Sequence, residues 1–310
     1  MISVLVYEEI TVTWAGGDHA SLSASLLREG RAMLEAVTAD LRKLPGVDCQ
    51  IATSRELLLS QTTNATHTLL IAPEFDGILH GLAKRVVEAG GTLLGPSPEA
   101  IRLTGDKLLL FDWWKRHRVP TPSTWEYDAK PANSPIVVKP RDGAGSQATR
   151  LLKPGEIFAE MWAGPLIAQE YVEGISASVA LLCGPTGMRP LWPCEQMLSK
   201  DGYFAYLGGR TITDAGLSKR ATDIAQRAAE CVPGLLGYVG VDVVIGDDGR
   251  DWAIEINPRL TTSYVGLRAK ADTNLMAAIL SIVRGEETTV AWRNEGYAFT
   301  PDGTVTGFPA

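Results

Sequence analysis

Apolar residues fall in short runs through the first third of the chain, separated by stretches with a helical rhythm. Residues 2–7, ISVLVY, form a run rich in β-branched side chains, the pattern of a strand covered on both faces. Leu26, Met33, Val37, Leu41 and Leu44 then recur at helical spacing and build one apolar face. VDCQIA (47–52) and HTLLIAP (67–73) predict two more strands, a helix follows over about 78–89, and TLLG (92–95) predicts a fourth short strand. Strands alternating with helices imply a parallel sheet covered by helices, an α/β unit. Ser97 before Pro98 starts a further helix, Gly105 interrupts it, and Asp106 caps a second helix that runs to about His117 and ends at Pro120 and Pro122. These signals put a domain boundary near 100–106, so that the α/β unit spans 1–105.

From residue 134 the rhythm changes. SPIVVKP is a strand, DGAGSQ a polar glycine loop, and ATRLL the returning strand. LIAQEYV (166–172) and SASVALLC (176–183) are further strands with Gly174 at the turn between them. A helix over 216–231, two strands joined by Asp248-Gly249, and a helix over about 264–283 complete the pattern. Runs of antiparallel strands with flanking helices make 106–290 an α+β unit, divided into a part at about 120–180 and a part at about 181–290; residues 291–310 read as a polar tail.

Composition narrows the function classes. A chain of 310 residues suggests about two domains and is long enough to bury a large core without disulfides or a structural metal. The net charge of −7 argues against a nucleic-acid partner, whose footprint is basic. Cys49, Cys183, Cys194 and Cys231 show no paired spacing, which points to reduced thiols rather than a disulfide scaffold or a cysteine zinc site. The first residues lack a basic leader, and no apolar run is long enough to span a membrane, so the expected location is cytoplasmic.

The sharpest chemical signal lies between Gly240 and Tyr264. Asp248-Gly249 predicts a two-residue hairpin turn, and that register sets Asp242 directly opposite Glu255, with Asn257 on the same face. The other face then carries Val241, Val243, Ile245, Trp252, Ile254 and Ile256, all apolar. Like charges directly opposed destabilise a sheet by a few tenths to about 1 kcal/mol. A hard cation held by both carboxylates offsets that cost, and oxygen-only ligands select Mg²⁺ or Mn²⁺ over zinc. The plain alternative is a solvated face whose charges point to water. Upstream, Lys139 ends an apolar strand just before a loop holding Gly143, Gly145 and Ser146; such a loop brings backbone N–H groups close to phosphate oxygens. It is neither a Walker loop nor a dinucleotide fingerprint. Lys107, in TGDKLLLF, follows a helix cap.

Taken in order, these pieces resemble the ATP-grasp superfamily over about Asp106 to Val283, on Lys107, Lys139 with the loop 143–146, the segment QEYVEG (169–174), and the 13- and two-residue intervals of Asp242, Glu255 and Asn257. The resemblance implies two α+β subdomains clasping ATP, behind an α/β pre-ATP-grasp domain. It implies that Lys107 and Lys139 contact the phosphates, that the loop with Gly143, Gly145 and Ser146 closes over them, and that the Gln169, Glu170 and Val172 stretch reads the adenine. Asp242, Glu255 and Asn257 would hold Mg²⁺ or Mn²⁺, and Arg259 would face the transferred phosphoryl group as the catalytic residue. Two positions depart from the family pattern: Ser176 stands where an acid usually binds the ribose, and Gly240 where D-alanine ligase-like members carry an arginine. Within the superfamily the chain looks most similar to the tyramine–glutamate ligases of methanofuran biosynthesis, on SLLREGRAML (25–34), APEFDGIL (72–79), YLGG (206–209) and EINPRLTTSYVGL (255–267).

That resemblance implies an ATP-dependent carboxylate–amine ligase working through an acyl phosphate, with glutamate and tyramine or a related aromatic amine as small-molecule substrates; the superfamily also includes homodimers. Glu74, just after a first-domain strand, is a candidate to hold a substrate ammonium, because open α/β sheets present ligands at that edge. Tyr206, Gly208, Gly209 and Ser263, with Tyr203 nearby, are candidates to line the acceptor pocket. The competing readings are another ATP-grasp chemistry (a different amino-acid ligase, a carboxylase, a kinase-like transfer) or a nucleotide-binding regulator without turnover.

Overall fold

The computed structural model describes residues 1–15, 24–143 and 145–309, and among these the strands form three sheets. The chain opens with β1 (Ile2–Glu8), α1 (Glu9–Ala15), α2 (Ala24–Arg42), β2 (Val47–Ile51), α3 (Arg55–Gln61), β3 (His67–Ile71) and α4 (Ile78–Glu88). These strands make a parallel sheet in the order β2-β1-β3, and Val4, Leu5, Val6 and Tyr7 are fully buried, as a strand covered on both faces requires. The predicted fourth strand is a single bridge, Thr68 to Leu93. Two backbone bonds flank it, and Gly95 and Pro96 end the pairing at once, since proline has no N–H to extend a ladder.

Helices α5 (Pro98–Gly105) and α6 (Lys107–Arg116) follow, with Ser97 and Asp106 accepting at their respective N-caps. A second, antiparallel sheet holds β4 (Thr124–Glu126), β5 (Ile136–Pro140), β6 (Arg150–Leu152) and β7 (Leu166–Glu170) in the order β4-β7-β5-β6. It has its own small core of Ala132, Ile136, Val138, Leu152 and Ala168.

The third sheet is the largest. It contains β8 (Gly174–Gly184), β9 (Gly187–Pro190), β10 (Cys194–Leu198) and β11 (Tyr206–Thr211); after α7 (Ala215–Glu230) come β12 (Gly237–Gly246) and β13 (Asp251–Asn257). Helices α8 (Ser263–Lys270) and α9 (Leu275–Val283) lead to β14 (Gly296–Phe299) and β15 (Val305–Phe308). The strand order is β13-β12-β8-β10-β11-β14-β15, with β9 beside β8. The single helix expected over 264–283 is two helices, because Asn274 accepts from the N–H groups of Met276 and Ala277 and caps a new start. The tail likewise supplies β14 and β15: Phe299 is 1% exposed, over Gly209 and Gly266, where a Cβ would stand 2.5 and 2.1 Å from its ring.

The N-terminal layer and the large sheet share one core, in which Val4, Val6, Met33 and Val37 meet Leu182, Tyr238, Tyr264 and Ile279. Buried Asp40 on α2 locks the join: it accepts from Tyr264 Oη at 2.9 Å and from Arg268 Nε and Nη2 at 2.9 and 2.6 Å.

Candidate active site

The β12–β13 hairpin sets the site through two local features that cancel. Its turn has three residues, not two: Gly246 N–H donates to Arg250 O at 2.9 Å, and Gly249, at φ 83°, takes the left-handed position of the loop Asp247-Asp248-Gly249. Near the turn the pairs are therefore Ile245–Asp251, Val244–Trp252 and Val243–Ala253, one residue off the expected register. A bulge at Ile254 then adds one residue and restores it, so Asp242 does stand opposite Glu255. The bulge changes the faces. Ala253, fully buried, joins Val241, Val243, Ile245 and Ile256 in the core, while Ile254 is turned into the cleft and Trp252 lies outside that core beside Arg250.

The cleft, about 280 Å³, lies between the small sheet and the large one. Val137, Lys139 and Gln169 to Val172 line it from one side, and Ser176, Ser178, Asp242, Glu255 and Asn257 from the other. Lys107, Gly143, Gly145, Ser146, Arg259, Tyr206 and Ser263 border it as well. Of the loop 143–146, Ala144 lies outside the described residues. Lys107 Nζ donates to Gly143 O at 3.1 Å and sits 3.5 Å from Glu255 Oε2. Lys139 Nζ donates to Gln169 Oε1 at 3.0 Å, and Gln169 Nε2 in turn donates to Thr124 Oγ1 at 2.9 Å.

Charge in this cleft is poorly solvated. Burial and the facing Glu255 push Asp242 up to about 7, although bonds from Ser178, Asn257 and Gln196 oppose the shift. Burial acts on Glu255 the same way, but Lys107 and Lys139 outweigh it and hold Glu255 below its ordinary value. Burial lowers Lys139 to about 8. Asn257 Nδ2 donates to Asp242 Oδ2 at 3.1 Å, which leaves the amide oxygen free to turn toward a cation. Two opposed, desolvated carboxylates and an amide are an oxygen-only donor set that fits Mg²⁺ or Mn²⁺.

Other expected residues lie elsewhere or are already engaged. Glu74 is buried against Arg259: Nη2 donates to Oε2 at 3.1 Å, and Nε stands 2.9 Å from Oε1 as an ion contact. Its carboxylate orients Arg259 through that one hydrogen bond, and Oε1 takes part in no hydrogen bond among the described residues. Gly208 and Gly209 do not line the cleft; the ring their missing side chains admit is that of Phe299 against Gly209, and at Gly208 a Cβ would stand 2.3 Å from Phe299 O. Tyr203 is exposed beneath the Arg150 guanidinium. Ser263 Oγ is held by Tyr238 Oη at 3.0 Å and Thr261 Oγ1 at 2.8 Å. Gly240 has no room for a side chain, since a Cβ would stand 2.6 Å from Thr261 Cγ2.

Residues beyond the expected set also reach the cleft: Ser178, Gln196, Thr262 and Glu29. Ser178 and Gln196 lie on β8 and β10, which pair through Cys194 and Ser178 beside the hairpin, while α2 carries Glu29 in from a different layer. Ser178 is signalled by the alternation of Ser176 and Ser178 with apolar residues on β8, while Glu29 and Thr262 fall in the segments 25–34 and 255–267 that carry the resemblance.

The fold and the paired carboxylates define a class, and comparison with known proteins gives the same one. An ATP-grasp domain model matches residues 104–263 and a pre ATP-grasp 3 domain model residues 32–101. The chain belongs to the ATP-grasp family, in its carboxylate–amine ligase branch, whose members form C–N bonds. The tyramine–L-glutamate ligase of Methanocaldococcus jannaschii is 32% identical over 244 residues, 79% of this chain and 70% of that protein. That of Methanocaldococcus fervens is 35% identical over 234 residues, 76% and 71% of the two chains. An ATP-grasp superfamily protein from Archaeoglobus fulgidus superposes with a TM-score of 0.73 at 25% identity, covering 97% of this chain and 92% of its own. Among the described residues no helix is long and apolar enough to cross a membrane.

Proposed function

We propose that this enzyme joins the carboxylate of glutamate to tyramine, or to a related aromatic amine, at the expense of ATP. The observation that carries the reading is the convergence of Lys107, Lys139, Asp242 and Glu255 in one cleft between two sheets. In this reading the adenine lies near Glu170 and Val172, with Ile254 and Val137 as apolar walls, and Ser176 stands near the ribose in place of an acid. Lys107, Lys139 and the backbone at Gly143, Gly145 and Ser146 hold the triphosphate. Asp242, Glu255 and Asn257 hold a divalent ion, Mg²⁺ or Mn²⁺. When bound, that ion neutralises charge on the phosphates during transfer.

The substrate carboxylate attacks the γ-phosphorus, and ADP leaves. The amine, having given up its ammonium proton to solvent, attacks the acyl carbon, the C–O bond to phosphate breaks, and phosphate departs as the nitrogen loses a second proton to form the neutral amide. Arg259, buried, fixed by Glu74 and with Nη1 donating to Leu260 O at 3.1 Å, offers its remaining N–H groups to the oxyanion that forms. The small sheet, packed on its own core, closes over the intermediate and keeps water out. A panel crossing glutamate and other amino acids with tyramine, tyrosine and lysine, read by product mass and ADP release, tests the reading. Amide formation from glutamate and tyramine supports it; ADP release that needs no amine contradicts it.

A further inference from the structure

Glu29 enters the cleft from the second turn of α2, opposite the ATP-holding sheets. Its Oε2 accepts from Thr262 Oγ1 at 3.0 Å and its Oε1 from Ser25 Oγ at 3.1 Å. Both partners are neutral hydroxyls, and together they use two of the four or so lone-pair positions of a carboxylate. Burial pushes the carboxyl above its ordinary range, with Thr262, Ser25, Arg259 and Arg28 pulling it back. Arg259 itself is committed to Glu74. Among the described residues, Glu29 is in no ion pair, so an acid faces the cleft with lone pairs to spare and no cation in contact.

A partly desolvated carboxylate in that state favours a cation brought from outside. Tyr206 lines the same end of the cleft, near Glu29 and Asp242, and offers an aromatic wall. A carboxylate beside an aromatic ring fits a primary ammonium carried on an aromatic side chain. Glutamate also carries an ammonium but no ring for Tyr206 to flank, so an aromatic amine uses both features of this corner and glutamate only one.

We infer that Glu29 is the residue that recognises the amine co-substrate, its free lone pairs accepting from the ammonium while Tyr206 flanks the ring. This deepens the ligase reading and rests on it.

The test is direct binding by calorimetry, on the full chain with ADP and Mg²⁺ present. Tyramine is compared with tyrosol, which has a hydroxyl in place of the ammonium, and with glutamate. The wild-type protein is expected to bind tyramine about tenfold or more tightly than tyrosol, a charge-assisted contact being lost with the alcohol. Glu29→Gln, which keeps an acceptor for Thr262, is expected to reduce that preference to within about twofold and to leave ADP and glutamate affinity unchanged. Equal binding of tyramine and tyrosol by the wild type overturns the inference, as does a Glu29→Gln variant that loses glutamate and keeps tyramine. If no amine is ligated in turnover assays, the ligase reading fails, whereas the binding comparison still decides the role of Glu29.

Discussion

At the scale of single residues, the site is a balance between two carboxylates that repel and one buried lysine, Lys139, that is hard to charge. Asp242 and Glu255 are cross-strand partners in a buried cleft, and Asp242→Asn removes a repulsion worth a few tenths to about 1 kcal/mol. Lacking a proposed cation ligand, that variant is expected to lose turnover and yet, in chelator, to melt at the wild-type temperature or slightly above it, whereas Glu255→Gln is expected to lose turnover and to melt lower, because it leaves Lys107 and Lys139 without their facing charge. A variant that turns over fully with Mg²⁺, or that unfolds, contradicts the assignment. Lys139 gives a pH dependence of definite sign. Burial lowers it to about 8, so in the free protein the ammonium is present below that pH and lost above it. ATP affinity measured without divalent metal is expected to fall as pH rises from 7 to 9.5, and the fall is expected to vanish in Lys139→Arg, whose guanidinium stays charged. A flat wild-type profile removes Lys139 from the phosphates.

At the scale of elements, what was legible followed from periodicity, and what was hidden followed from pairing. β1, β3 and β12 are apolar runs with turn signals at their ends, and each was readable. The opposition of Asp242 and Glu255 was readable too, although its turn was not: the three-residue loop and the Ile254 bulge cancel, and a bulge leaves no mark in a two-residue alternation. β9, β10 and β11 are polar or glycine-bearing segments, GMRP, CEQML and YLGGRT, which are strands because neighbours pair with them. β14 was hidden for the same reason, yet its Phe299 fills the space left by Gly209 and Gly266. Phe299→Ala is expected to cost about 3–5 kcal/mol in chemical denaturation, a core-aromatic loss. A cost below about 0.5 kcal/mol, the ordinary range of a surface substitution, takes β14 out of the core. Glu29 lies within the segment SLLREGRAML, but its place in the cleft was hidden, because it arises where α2 meets the segment before α8.

At the scale of the whole molecule, the N-terminal layer and the large sheet are one body, while the small sheet sits on a core of its own. The first arrangement fixes Arg259 and Glu29 relative to Asp242. Asp40 is the polar lock of the rigid part, 7% exposed and bonded to Tyr264 and Arg268. Asp40→Ala is expected to cost on the order of 3 kcal/mol and to unfold both layers in one transition, since it strands Arg268 and the Tyr264 hydroxyl; two separated transitions argue against a shared core. In the proposed ligase reaction a carboxylate oxygen passes to phosphate before the amide forms. Glutamate labelled with ¹⁸O in its carboxylates, incubated with ATP, Mg²⁺ and tyramine, tests this through the mass of the phosphate released. One labelled oxygen is expected in phosphate for each amide made; amide formation with unlabelled phosphate rules out the acyl-phosphate route.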